Sequence, residues 1–212
     1  MTDLRGMTTA DGDHGGGIDL ETGTVSRGVS HGVPGVVSHA VPEAVSHEIS
    51  QNWGVESKKT ISWHDPMISA AAQAQFSGIE FLRAIKEGEL PPPPIASVLG
   101  FRIIEVEPGR VVFECQPDES VHNPIGVVHG GVVCTLAACA VQTTLDIGTN
   151  YTSIDLNVSY LRPVTKDSGR LVATGVVTKP GRRVAFSNAE IVDGAGKLVT
   201  TATSSCLVIK ET

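Results

Sequence analysis

One stretch of the 212-residue chain carries the residue types that a carbonyl-handling site needs. Residues 123–131 read NPIGVVHGG, and they lead into the apolar run VVCTLAACAVQTTL. Gly130 and Gly131 open a helix with no side chain in the way, so their main-chain N–H groups are expected to receive an oxyanion. His129 stands just before them, placed to hydrogen-bond the same carbonyl or to hold the loop. Asn123 offers both a donor and an acceptor, suited to positioning a carbonyl or a water. Yet from Pro124 to Leu145 there is no Asp, Glu, Lys or Arg. The stretch has donors and no base.

Positioning these residues falls to the elements around them. The apolar run is expected to be one long buried helix; its glycines, His129, Gln142 and threonines argue against a membrane span. Ahead of it, residues 101–116 read as a hairpin, Phe101–Glu107 and Arg110–Gln116 about a Pro108-Gly109 turn. After it come four segments rich in β-branched residues: YTSIDLNVSYL, GRLVATGVVT, RRVAFSNAEIV and KLVTTATSSCLVI. Strands before and after a single long helix imply an α+β fold, an antiparallel sheet wrapped around that helix. Upstream, a helical region beginning at Ser69 carries a capping box, Ser77 with Glu80, and a stop at Gly88. Pro91–Pro94 reads as an extended connector or, alternatively, a ligand for a proline-reading domain.

The first 56 residues are a different regime. They hold eight acidic side chains against Arg5 and Arg27, and so six of the seven net negative charges. Val29-Ser30-His31, Val37-Ser38-His39 and Val45-Ser46-His47 repeat with a period of eight. Three domains result: a disordered acidic low-complexity tail with this repeat (1–56), a helical extension with the proline connector (57–94), and a main domain (95–212). The tail is not required by the chemistry, although a partner-binding role for it or for the prolines stays open. A nearly neutral main part excludes a nucleic-acid surface, which needs a basic footprint. Cys115, Cys134, Cys139 and Cys206 form no CxxC pair and read as reduced core residues, with no metal site. The N-terminus lacks an apolar signal core, and a cytoplasmic location is expected.

NPIGVVHGG, then a helix, then TSIDLNVSYLRPV, then GRRVAFSNAEIVDGAGKLVTTAT together resemble the hotdog-fold acyl-CoA thioesterases of the phenylacetate-pathway type, over roughly residues 91–209. The resemblance implies hydrolysis of an acyl-CoA thioester by water, with coenzyme A entering as part of the substrate and no other cofactor. It implies a homodimer with sheets joined edge to edge, or a tetramer of such dimers, with sites at the dimer interface. Asn123, His129 and Gly131 take the carbonyl-binding positions, with Gly130 beside them, and Ser153 the position of the hydroxyl that holds water. Arg182 and Arg183, after the Lys179-Pro180-Gly181 turn, and Arg162 are candidates for the phosphates of coenzyme A; a solvated hairpin is the alternative.

The family's carboxylate, about two and a half turns past the His, falls here on Ala138. The distance from His129 to Ser153 is also about four residues shorter than in close relatives, roughly 1.1 helical turns, so the apolar face survives while the acid goes. Asp146 is too far along the helix, Gln142 takes no proton, and Cys139 in a helix interior has no cation to activate it. Asp155, two residues beyond Ser153 and expected on the same strand face, is the substitute base. Two functions follow: a weakened acyl-CoA thioesterase, or a non-catalytic acyl-CoA binding or regulatory subunit.

Overall fold

The computed structural model describes residues 54–135 and 139–210. The VSH repeat, nearly all of the acidic tail and Ala138 lie outside the described residues, as does the side chain of Cys139. The unit described below starts at Ser57. Three short helices come first: α1 (Pro66–Gln73), α2 (Gly78–Glu87) and α3 (Pro94–Leu99). The sheet strands are β1 (Phe101–Glu107), β2 (Arg110–Cys115), β3 (Thr149–Tyr160), β4 (Leu171–Lys179), β5 (Val184–Val192) and β6 (Leu198–Lys210). Between β2 and β3 lie α4 (Gly130–Thr135) and a 3-10 segment, Cys139–Thr144.

Local chemistry explains most of these boundaries. Ser77 caps α2, and its hydroxyl and main-chain N–H both reach the Glu80 carboxylate; Gly88 ends the helix in the left-handed conformation. The proline run is extended only as far as Pro93. Pro94 opens α3 as its first residue, where a missing N–H costs nothing, and Gly100 closes it. The first helix likewise starts at Pro66 behind the Asp65 cap, three residues earlier than the sequence suggests.

All six strands pair antiparallel in the order β1-β2-β4-β5-β6-β3, leaving β1 and β3 as edges. Alternation is clean on β5: Ala185, Ser187, Ala189 and Ile191 face inward and are buried, while Phe186, Asn188 and Glu190 face outward. The inward face carries the main core, where Val111, Phe113, Leu171, Ala173, Ile191 and Val199 pack with Val132 and Val133 of α4 and Leu82 of α2. The upstream helices therefore share one core with the sheet. Gly78 lets α2 start directly on the 3-10 segment, since a Cβ there would meet the Gln142 carbonyl oxygen at 1.7 Å.

The sheet and its enclosed helical segment match the expected α+β architecture. The single long α-helix does not survive in that form: its described parts are six α-helical residues and six in 3-10 geometry. Four of the last six, Thr143, Thr144, Val141 and Cys139, are among the residue types of low helix propensity. The Thr143 hydroxyl is taken instead by the Gly109 N–H of the hairpin turn, 2.9 Å away.

Candidate active site

Residues 121–131 form a tight, heavily bonded loop. The His129 N–H donates to the Val121 carbonyl at 2.8 Å, and the Asn123 N–H to Val127 at 2.8 Å. Asn123 braces the turn further, its side-chain oxygen accepting from the Ile125 N–H at 3.1 Å and the Val127 N–H at 3.3 Å. That leaves its amide nitrogen with no acceptor among the described residues. Behind the loop, Lys59 reaches from the upstream segment to the Asp118 carboxylate at 2.6 Å and to the Ser120 hydroxyl. The hydrogen bond from Lys59, and then one from the Ser120 hydroxyl to the same carboxylate, lower the Asp118 pKa to about 2.

His129 acts as the N-cap of α4. Its Nδ1 accepts the Gly131 N–H at 3.0 Å, the role that Ser or Asp usually fills. A ring nitrogen that accepts carries no hydrogen, so the neutral imidazole has its hydrogen on Nε2. This corrects the expectation for Gly131: its N–H is engaged, and Gly130 holds the main-chain N–H with no acceptor among the described residues. Gly130 needs its missing side chain, because a Cβ would lie 2.9 Å from the ring and hydroxyl of Tyr160.

Tyr160 is the residue that the sequence reading missed. Its hydroxyl donates to the Gly130 carbonyl at 2.8 Å, and burial, with Cys134 nearby, keeps the phenol above its ordinary pKa and therefore a donor. Asn123, Gly130, Tyr160, Arg162 and Val133 line one groove of about 310 Å³, and no carboxylate lines it. The Arg162 guanidinium is bound to the Leu198 carbonyl at its rim. Among the described residues no group of three or more His, Cys, Asp or Glu side chains comes together to hold a metal ion.

The remaining predicted residues sit elsewhere in the chain. Tyr160 pairs with Thr200, whereas Ser153 pairs with Cys206. Seven residues of strand separate Ser153 from Tyr160, about 20 Å at the usual rise. Arg182 and Arg183 are exposed at the β4–β5 turn, with Arg183 bonded to Val208, at the Ser153 end of the sheet. The predicted residues thus fall into two groups, one around Ser153 in the first half of β3 and one at its Tyr160 end.

Asp155 does not share a face with Ser153. A bulge at Ile154 puts Ser153 opposite Cys206 and Asp155 opposite Ser205, and these adjacent residues point to opposite sides. Ser153 falls on the helix side. Asp155 falls on the outer side, in a shallow groove of about 430 Å³ with Phe186, Asn188 and Thr203. Its Oδ1 accepts the Ser205 N–H at 3.2 Å.

The pattern has close relatives. Residues 119–207 match the model of the acyl-CoA thioesterase N-terminal domain. Human acyl-coenzyme A thioesterase 13 is 33% identical over 108 residues, which cover 48% of this chain and 76% of the human protein. The chain belongs to the acyl-CoA thioesterase family. A phenylacetic acid degradation-related protein of Ralstonia eutropha superimposes on this thioesterase with a TM-score of 0.55 at 31% identity, over 59% of this chain and 98% of that one. The PaaI protein of Escherichia coli shares the hotdog fold at a TM-score of 0.55 and 24% identity, over 64% and 97% of the two chains. The expected fold and class, a hydrolase of thioester bonds, are both borne out. No helix among the thioesterase's described residues is long and apolar enough to cross a membrane.

Because Asp155 faces away from the helix side, Asp155→Asn should leave the thioesterase's hydrolysis rate unchanged, measured as thiol release across pH 6–9. A loss of tenfold or more would return Asp155 to the site.

Proposed function

We propose that this protein binds an acyl-CoA thioester in the Asn123–Gly130 groove and hydrolyses it slowly. The observation that supports this most is a pair of groove-lining donors without acceptors among the described residues, the Gly130 N–H and the Asn123 amide, with the exposed His129 next to them in the chain. Water adds to the thioester carbon, and the carbonyl electrons move onto an oxygen held by these donors. Collapse of the adduct breaks the C–S bond, giving the acid and the coenzyme A thiol. The enzyme supplies electrostatic stabilisation and orientation, while proton removal from water lacks the family's carboxylate.

The water-holding and phosphate-binding groups would come from a second copy. Two β3 edges paired antiparallel about the Leu156–Asn157 step would set Ser153 of one strand opposite Tyr160 of the other. Ser153, Arg182 and Arg183 of one copy then approach the loop of its mate. The exposed β3 edge, twelve residues long with no proline or lysine, favours such pairing.

A second reading, a non-catalytic acyl-CoA binding subunit, is favoured by the carboxylate-free groove. Thiol release from a panel of acyl-CoAs separates the two. Turnover that falls in Asn123→Ala supports hydrolysis. Binding of a non-hydrolysable thioether analogue without turnover supports the second reading, and neither binding nor turnover overturns both.

A further inference from the structure

We propose that Tyr160 is a positioning residue for His129, acting through the Gly130–Gly131 peptide group to hold the imidazole in its Nε2–H form. The inference deepens the thioesterase reading, and rests on it for what the Nε2–H finally touches.

The path is continuous. The Tyr160 hydroxyl donates to the Gly130 carbonyl oxygen at 2.8 Å, and the N–H of that same peptide group, on Gly131, donates to His129 Nδ1 at 3.0 Å. Carbonyl and N–H are conjugated, so a donor on the oxygen makes the N–H a better donor in turn. Nδ1 is thereby committed as an acceptor, and a hydrogen placed there would face the Gly131 hydrogen. The ring is left with its donor on Nε2.

Sterics fit the same device. A Cβ at Gly130 would stand 2.9 Å from the Tyr160 ring carbon Cζ and hydroxyl, and one at Gly131 3.1 Å from His129 Nδ1. The two glycines allow Tyr160 and His129 to close on one peptide unit from both ends. A tyrosine serving only as packing would need its ring at this position and no hydroxyl.

The test is Tyr160→Phe in the full chain, which removes one oxygen. With ¹⁵N-labelled histidine, and His129→Gln to assign the signals among the seven histidines, the wild type should show His129 with Nδ1 bare and Nε2 carrying hydrogen. Tyr160→Phe should populate the other tautomer, and kcat for thiol release should fall about fivefold at unchanged KM, the size of one neutral hydrogen bond. Unchanged His129 signals in the variant would overturn the proposal. So would the absence, in the wild type, of a through-bond coupling between the Gly131 N–H and His129 Nδ1, a measurement that needs neither a variant nor turnover. Absence of turnover in the wild type, with the tautomer shift present in the variant, would count against the thioesterase reading alone.

Discussion

Ala138→Asp should raise thiol release from acyl-CoA substrates by about 10²–10⁴-fold, the usual contribution of a positioned general base. The groove already has what such a base acts with: the Gly130 main-chain N–H and the Asn123 amide, without acceptors among the described residues. It lacks a proton acceptor, since none of its lining residues is Asp or Glu. The gain should lie in kcat. KM should stay within a few-fold, because the carbonyl donors are untouched. The sign of the pH dependence follows from the chemistry: a carboxylate base works only when ionised, so the added activity should disappear as pH falls through its pKa. Inert Ala138→Asp protein that still binds a thioether analogue would mean that position 138 does not reach the site.

The second large effect concerns the proposed pairing of two copies along β3. Asn123→Ala should cut turnover by about 10²–10³-fold, as for a lost carbonyl donor, and Ser153→Ala should cut it strongly through the lost hold on water. Mixed after dissociation and reassociation, the two inactive proteins should recover about a quarter of wild-type activity, because half of the dimers are hybrids and each hybrid has one intact composite site. A site complete within one chain recovers nothing. Gel filtration of the mixture beside the wild type shows that the assembly itself is unchanged.

Much of the scaffold was legible because its signals are local. Pro108-Gly109 announced the hairpin, Ser77 and Glu80 announced α2, and β-branched runs located β3 to β6 within a residue or two. Pro94 could have been read as well: proline, four residues without a breaker, then Gly100 after Leu99 is the pattern of a short helix. The misplacement of Asp155 had another origin. Counting by twos holds for a regular strand, and the bulge at Ile154 is set by pairing with β6, fifty residues away. The same holds for Gly131 and Tyr160. Which glycine N–H is free depends on the rotamer of His129, and the contact of Tyr160 joins residues thirty apart. Residue types at the site were visible in the chain, while their hydrogen-bond assignments needed the fold.

Cys115 and Cys206 lie at 1% and 0% exposure on β2 and β6, and burial pushes the Cys115 thiol up to about 11, where its Sγ donates to the Leu99 carbonyl. A thiol enclosed in this way is inert to electrophiles until its strand opens. The two sulfurs are therefore internal clocks for the sheet. Their alkylation rates report how often β2 and β6 separate from their neighbours, whereas half-exposed Cys134 answers to the surface alone.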